Sequence, residues 1–207
     1  MKHFFSDVFF VTGTDTGVGK TVICAMLALG LGAKYWKPVQ SGSREGLDSR
    51  LVQKLAALDS SRIIPEEYVF SEPLSPHLAA ELENRTIEAG RIKLPADVSP
   101  LIVEGAGGLL VPLNQGFFMA DLIRQLDLPV LIVSRNILGT INHTLLTIEA
   151  LQRRGLRIEG VILNRGVNQD HFKAIEQLGQ VKVLGQVQEL DRIDSGILRQ
   201  VFDELFL

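Results

Sequence analysis

The feature that most constrains this chain is a glycine-rich turn between an apolar run and a helix-like run. Residues 8–11 read Val-Phe-Phe-Val, the turn Gly-Thr-Asp-Thr-Gly-Val-Gly-Lys-Thr occupies 13–21, and a helical pattern continues to residue 31. In a strand–turn–helix unit, the N–H groups of the turn and the positive end of the helix dipole face one point and favour an anion. The order therefore predicts a phosphate-binding loop that ends in Lys20 and Thr21.

The spelling of this turn departs from the commonest phosphate-binding form. That form places four residues between its first glycine and the Gly-Lys pair, whereas here Thr14 holds the first position and Gly13 lies one residue further out. A glycine-rich turn with an incidental lysine is the alternative interpretation. The order of strand, turn, Gly-Lys-Thr and helix favours phosphate binding, and with it ATP and Mg²⁺ as cofactors.

Length and composition are those of an ordinary globular protein. The 207 residues suit one α/β domain spanning 1–207, and 46% of them are hydrophobic and 22% charged. A net charge of −3 predicts no nucleic-acid partner. The single cysteine, Cys24, excludes an intramolecular disulfide and a Cys-cluster metal site, and its place in a helical pattern predicts a buried side chain.

The apolar runs of the chain also bear on its location. They are shorter than the roughly 20 residues that a membrane-spanning helix needs. Residues 1–5 resemble the start of a leader, but Asp7 interrupts them and the phosphate-binding turn follows at once, so cleavage there would destroy the turn. The sequence predicts a cytoplasmic protein with no membrane partner.

Short β-rich runs alternate with longer helical patterns along the chain. Near-continuous apolar runs such as Val-Leu-Ile-Val are typical of parallel strands that are covered on both faces. The alternation predicts an α/β fold: a doubly wound, mostly parallel sheet with helices on both faces. The predicted strands are 8–12, 35–39, 101–104, 130–134, 160–164 and 181–184, and the predicted helices are 21–32, 48–58, 86–92, 119–126, 142–154, 169–178 and 195–205.

Ligands of such sheets bind beyond the carboxyl ends of the strands, which predicts where the polar loops meet. Five segments follow predicted strands and should therefore converge on one edge: 13–21, 37–43, 104–108, 136–142 and Asn164. The irregular region 60–100 is expected to cover this edge.

Two charged residues at predicted strand ends stand out. Glu104 ends an apolar strand, so a Mg²⁺ ligand is favoured over a solvated carboxylate. Lys37 ends another strand before the loop Pro-Val-Gln-Ser-Gly-Ser, where a second ammonium group would stabilise negative charge on a transferred phosphoryl group. Ser41 and Ser43 offer hydroxyls to a small polar substrate.

Two further residues have two interpretations each. Asp48 opens a predicted helix, so it either caps that helix or joins the Mg²⁺ ligands. Asn164 either reads a purine edge with its amide or caps the end of its strand. The residue types alone leave both questions open.

Five motifs in order resemble the dethiobiotin synthetase family over nearly the whole chain. They are the turn at 13–21, Lys-Pro-Val-Gln-Ser-Gly-Ser at 37–43, Glu-Pro-Leu-Ser-Pro-His at 72–77, Val-Glu-Gly-Ala-Gly-Gly at 103–108 and Gly-Thr-Ile-Asn-His at 139–143. The extra spacing residue of the phosphate-binding turn is typical of this family.

The resemblance implies an ATP- and Mg²⁺-dependent ligase of biotin biosynthesis that converts 7,8-diaminononanoate and CO₂ to dethiobiotin. A carbamate and a carbamic–phosphoric anhydride are the implied intermediates. Lys20, Lys37 and Thr16 would be catalytic, and Ser41 would bind the substrate. The metal ligands would be Thr21, Asp48 and Glu104.

The resemblance also implies a homodimer, in which the carboxylate tail of the diamine is gripped across the interface. The matching substrate-binding residues are Gly139, Thr140, Ile141 and Asn142. The nucleotide would be bound by Gly17, Val18, Gly19, Lys20, Thr21, Val22, Asp48, Glu104, Gly105, Ala106, Gly107, Asn164, Arg165, Gln188, Glu189 and Leu190.

The alternative interpretation is a partition- or septum-type switch ATPase, a group of related fold. Those proteins place a lysine near the start of the loop, where this chain has Asp15. A pure nucleotide-binding module would not need Lys37 and the serine-bearing loop after it.

Overall fold

The computed structural model of the protein describes residues 4–207, so the expectation for the N-terminal leader falls partly outside the described residues. Its helices are α1 (Lys20–Leu31), α2 (Asp48–Leu55), α3 (Pro76–Leu82), α4 (Met119–Leu126), α5 (Thr140–Gln152), α6 (Gln169–Gly179) and α7 (Ser195–Phe206). Its strands are β1 (Val8–Gly13), β2 (Lys34–Trp36), β3 (Val39–Gln40), β4 (Ile63–Ile64), β5 (Tyr68–Val69), β6 (Leu101–Gly108), β7 (Pro112–Asn114), β8 (Phe117–Phe118), β9 (Val130–Arg135), β10 (Ile158–Asn164) and β11 (Val183–Val187).

A seven-stranded parallel sheet forms the centre of the fold, in the order β11-β10-β9-β1-β6-β2-β4. Its strands are buried on both faces, because α1, α2 and α7 cover one side and α4, α5 and α6 cover the other. Along β1, Phe10 packs on the α4–α6 side while Phe9 and Val11 pack on the α1 side. Burying each of these side chains contributes about 1.5–3 kcal/mol. The predicted doubly wound fold is confirmed.

The predicted strand 35–39 is wrong as a single strand. It ends at Trp36, and Val39–Gln40 pair with β5 in a separate two-stranded sheet. Pro38 lies between the two parts, and its fixed φ and missing N–H break the ladder. The chain after β2 therefore turns out of the main sheet and carries Lys37 to its edge.

The predicted helix 86–92 is also wrong, since only residues 89–91 form a single 3₁₀ turn. Ile87 and Ile92 are both fully buried, and their spacing of five residues does not fit one face of a helix. The helix of this region is α3, which begins at Pro76, a residue suited to the first helical position. The other predicted helices are present with ends within three residues. The last strand lies at Val183–Val187 rather than 181–184.

Candidate functional site

The turn between β1 and α1 folds closely around Lys20. The Lys20 ammonium donates to the carbonyl of Asp15 at 3.1 Å across the turn. A Cβ on Gly13 would lie 2.9 Å from Lys20 Nζ, and a Cβ on Gly19, whose φ is +94°, would lie 2.0 Å from Asn164 Nδ2. Both positions therefore require glycine. Helix α1 begins at Lys20, so the N-terminus of the helix and the lysine lie at the end of the turn.

The pairing of β2 with β6 brings Lys37 to Glu104. Trp36 lies opposite Val103 in the paired strands, so the residues that follow them, Lys37 and Glu104, are neighbours. The Lys37 ammonium donates to Glu104 Oε1 at 3.3 Å and also forms an ion pair with the Asp48 carboxylate. Lys37 is 5% exposed and Glu104 is 1% exposed, so this ion pair is shielded from water, whereas Asp48 is partly exposed.

The Glu104 carboxylate receives hydrogen bonds at both oxygens. The Thr21 hydroxyl donates to Oε1 at 3.0 Å, and the Tyr35 hydroxyl donates to Oε2 at 2.9 Å. The prediction that Glu104 ends its strand is wrong, because β6 continues to Gly108, which pairs with Gly13. Gly105, Ala106 and Gly107 are likewise strand residues rather than loop residues.

Asp48 is the first residue of α2, and it does not cap that helix. The N-cap is Leu47, without a side-chain hydrogen bond, and the Asp48 N–H donates to Gln40 Oε1 at 3.2 Å. The capping interpretation of Asp48 is therefore wrong. Its carboxylate instead faces Lys37.

The two buried lysines differ in their pKa values. Burial lowers the pKa of Lys20. Burial acts in the same direction on Lys37, but the Glu104 and Asp48 carboxylates outweigh it and raise the pKa of Lys37. Burial and the adjacent Glu104 raise the pKa of Tyr35 well above its usual range, so its hydroxyl remains a donor. Lys37 is thus held as a cation at neutral pH.

A cavity of about 870 Å³ opens beside this cluster. Its wall includes Thr16, Lys37, Ser41 and Asp48. The Ser41 hydroxyl is buried, and no described residue bonds to it. A buried hydroxyl at a cavity wall is suited to a polar ligand, because an unpaired buried polar group is otherwise unfavourable.

The oxygen donors of this region fit a magnesium ion that shares its coordination with a nucleotide. Thr21, Asp48 and Glu104 supply hydroxyl and carboxylate oxygens, which are the ligands Mg²⁺ prefers. Among residues 4–207 no group of three or more His, Cys, Asp or Glu side chains could hold a metal ion alone. The set therefore fits an ion that also binds phosphates and water.

The segment of Gly139, Thr140, Ile141 and Asn142 does not line this cavity. It forms the start of α5, where Gly139 has a φ of +93°. The Thr140 hydroxyl is buried and hydrogen-bonded to Ser134 Oγ at 2.8 Å. The preceding Leu138 is 98% exposed. The four residues line no part of the cavity that holds Lys37 and Ser41.

Asn164 joins the end of β10 to the phosphate-binding turn. Its Nδ2 donates to the carbonyl of Val18 at 2.8 Å. Arg165 follows with a φ of +62°, and the Gly166 N–H donates to Val187 O at 2.9 Å. This contact sets the 164–166 segment beside the segment that holds Gln188, Glu189 and Leu190.

Sequence reasoning missed the roles of Tyr35 and Gln40 around the cluster, whereas the predicted burial of Cys24 is confirmed. Tyr35 and Gln40 bond to Glu104 and Asp48, and the buried Cys24 thiol lies close enough to Glu104 for the carboxylate to help raise the pKa of Cys24, after the larger effect of burial. The spacing of Tyr35 and Lys37, two residues apart at a strand end, could have indicated a shared face.

Comparisons with known proteins identify the relatives of the chain. A family profile described as an AAA domain matches residues 7–195. The ATP-dependent dethiobiotin synthetase BioD of Novosphingobium aromaticivorans is 48% identical over 96% of each chain. The protein of the same name from Agrobacterium fabrum is 43% identical over 96% of this chain and 93% of its own.

Solved structures of similar fold come from more distant proteins. A ParA family ATPase from Chlorobium tepidum superposes with a TM-score of 0.58 over 97% of this chain and 90% of its own, at 15% identity. The septum site-determining protein MinD of Pyrococcus horikoshii, complexed with Mg-ADP, gives 0.54 over 97% and 94% at 14% identity. At this identity the likeness is one of fold alone.

Proposed function

The chain belongs to the family of ATP-dependent dethiobiotin synthetases, and we propose from this premise that it closes a cyclic urea on 7,8-diaminononanoate. CO₂ supplies the urea carbon and MgATP drives the reaction, and the products are dethiobiotin, ADP and phosphate. The partition- or septum-type switch remains a likeness of fold, and no residue of the site favours it.

Three bond-forming steps account for the product. One amine nitrogen attacks CO₂ and loses a proton, which gives a carbamate. A carbamate oxygen then attacks the γ-phosphorus, and ADP departs, which gives a carbamic–phosphoric anhydride. The second amine attacks the carbonyl carbon, loses a proton and expels phosphate, and the ring is closed.

The observation that carries this proposal is a pair of buried lysines that lie close enough for their charges to interact, one of which, Lys37, lines the cavity. A carbamate and a γ-phosphate repel each other, so cations on both sides lower the barrier to their reaction. Lys20 flanks the phosphate-binding turn, and Lys37 lies at the cavity wall with Thr16 and Ser41. The protein thereby contributes charge and position rather than covalent chemistry.

We assign Thr21, Asp48 and Glu104 to Mg²⁺. The ion would neutralise charge that develops on the phosphate oxygens. The Asn164 amide keeps its Oδ1 and a second N–H for the nucleotide base, while one N–H holds Val18. Adenine would then lie beside the segments at Arg165 and at Gln188, Glu189 and Leu190.

We also propose that the working enzyme is a homodimer. The segment 139–142 lines no part of the cavity of its own chain, which supports a role for this segment at the site of a second copy. Apolar side chains near this segment are exposed, among them Leu110, Leu138 and Leu146. Since the reaction consumes ATP in a biosynthetic pathway, we place the enzyme in the cytoplasm. Within the described residues no helix has the length and apolar character to cross a membrane.

Product analysis tests the proposal directly. Purified protein is incubated with 7,8-diaminononanoate, bicarbonate and MgATP, and dethiobiotin is sought by mass spectrometry while ADP is measured. ADP should form only when both diamine and bicarbonate are present, in equal amount to dethiobiotin. ATP hydrolysis that is indifferent to the diamine would instead favour a switch ATPase.

A further inference from the structure

The Tyr35 side chain is completely buried, and its hydroxyl donates one hydrogen bond. The side chain is 0% exposed, and its hydroxyl donates to Glu104 Oε2 at 2.9 Å. Phenylalanine would fill the same apolar space without a polar atom to satisfy. The hydroxyl therefore has a use besides packing, and its partner is the carboxylate that also contacts Thr21 and Lys37.

The geometry of β2 explains why Tyr35 and Lys37 meet the same carboxylate. Tyr35 and Ile102 pack on the α1 side of the sheet, and Glu104 follows Ile102 by two residues in β6, so its carboxylate points to the same side. Lys37 follows the end of β2 and reaches this carboxylate from there. Tyr35 holds Oε2 while Oε1 remains toward Thr21 and Lys37. The torsion at the end of a glutamate side chain is otherwise broad, so this hydrogen bond selects one orientation.

We propose that Tyr35 is a positioning residue for the magnesium site: its hydroxyl fixes the Glu104 carboxylate so that Oε1 faces the site. This inference rests on the proposed role of Glu104 as a metal ligand. The nearby Cys24 cannot replace the phenol, because a thiol is a weak donor. Partners that orient metal-binding carboxylates typically change metal affinity or activity 10–100-fold when they are removed.

Tyr35→Phe tests the inference, because it deletes only the hydroxyl. Mn²⁺ binding is followed by electron paramagnetic resonance with a non-hydrolysable ATP analogue present, and Mg²⁺ is titrated in the assay. We expect metal affinity to fall about 10–100-fold. Affinity for the nucleotide without metal should be unchanged, and kcat should recover at saturating Mg²⁺. The matched control is Tyr68→Phe, which also removes a buried hydroxyl. That hydroxyl lies outside the site and accepts a hydrogen bond from the Glu88 N–H.

Glu104→Gln separates this inference from the function on which it rests. If Glu104→Gln weakens metal binding and Tyr35→Phe leaves it at the wild-type level, the positioning role is refuted while the metal site stands. If Glu104→Gln leaves metal binding unchanged, the proposed metal site itself is refuted. Equal losses in Tyr35→Phe and Tyr68→Phe would assign the effect to general destabilisation and overturn the inference.

Discussion

Lys37 is a buried cation between two carboxylates, and at the residue scale this environment decides its chemistry. The raised pKa keeps its charge in place, because Glu104 and Asp48 outweigh the effect of burial. The two ion pairs also restrict the movement of the Lys37 side chain. The ammonium group can therefore act on a transferring phosphoryl group as a preorganised charge.

Lys37→Gln should lower kcat by about 10²–10³-fold, as loss of one preorganised donor does in other enzymes. Nucleotide affinity should survive, since the charge acts mainly on the group in transfer. Steady-state kinetics and calorimetry of ATP binding measure the two effects, with thermal unfolding as a check on the fold. The control is Lys34→Gln, three residues earlier at the start of β2. Loss of ATP affinity with kcat intact would contradict the assigned role.

The glycines of the phosphate-binding turn offer a second test. An added Cβ at Gly19 meets Asn164 Nδ2 at 2.0 Å and also strains the backbone, whereas at Gly17, with a φ of +75°, it meets no atom within 4 Å. Gly17→Ala therefore carries only strain, about 1–2 kcal/mol. We expect Gly19→Ala to reduce ATP affinity at least about tenfold more than Gly17→Ala. Calorimetric titration of both variants measures this, and equal losses would show that Asn164 does not limit the turn.

At the scale of elements, α1 depends on the last helix of the chain. A Cβ on Gly30 would lie 2.2 Å from the Phe202 ring, so this ring packs directly against the backbone of α1. Gly30→Ala should destabilise the protein by about 1–3 kcal/mol through overpacking. In a Phe202→Ala background the same change should instead stabilise it, because alanine favours a helix over glycine by about 1 kcal/mol. Urea unfolding of the four proteins gives the sign, and destabilisation in both backgrounds would disprove the contact.

Glu83, next to the C-terminal end of α3, holds the chain at Ser71, just before the residues 73–76 that line the cavity. Its carboxylate accepts from the Ser71 N–H at 2.7 Å, and this bond, more than the ion pair with Arg85, lowers the pKa of Glu83 below 4.5. The stabilising effect is therefore complete above pH 4.5 and is lost as pH falls through the lowered pKa. Glu83→Gln should reduce the difference in the free energy of unfolding between neutral and acid pH. Thermal unfolding measured as a function of pH tests this expectation. An unchanged pH profile would contradict it.

The sequence predicted elements best where one local rule decides them. Lys20 could be placed at a helix start because turn and helix are contiguous. The role of Asp48 could not be predicted, because its carboxylate pairs with Lys37, a residue distant in sequence that only the fold brings close. Tyr35 was missed for a similar reason: its partner Glu104 becomes a neighbour only when β2 pairs with β6. Contacts set by strand pairing need the register of the sheet.

On the scale of the whole molecule, the doubly wound sheet follows from the alternation of patterns, and the edge that gathers Lys20, Lys37 and Glu104 follows from parallel strands. The oligomeric state does not follow from the sequence, because an exposed apolar residue such as Leu138 does not show which surface would bury it. The homodimer and the roles of 139–142 stay predictions.

Complementation between two inactive variants tests the shared site. Lys37→Gln disables the catalytic half, and Asn142→Asp places a negative charge where the substrate carboxylate should bind. If each site draws 139–142 from the partner, mixed dimers regain activity, because each carries one site with both wild-type contributions. Co-expressed variants with different tags are purified as heterodimers and assayed. Heterodimers as inactive as either parent would rule out a site built from two chains.

Among the strands of the main sheet, β1 is translated before the others, yet it lies in the middle of the finished sheet. Its partners Leu101 on one side and Val130 on the other emerge much later during translation. Until then the apolar strand has both edges open, which invites pairing with other chains. Messages cut short before the codons of β9 should therefore yield fragments that aggregate through β1.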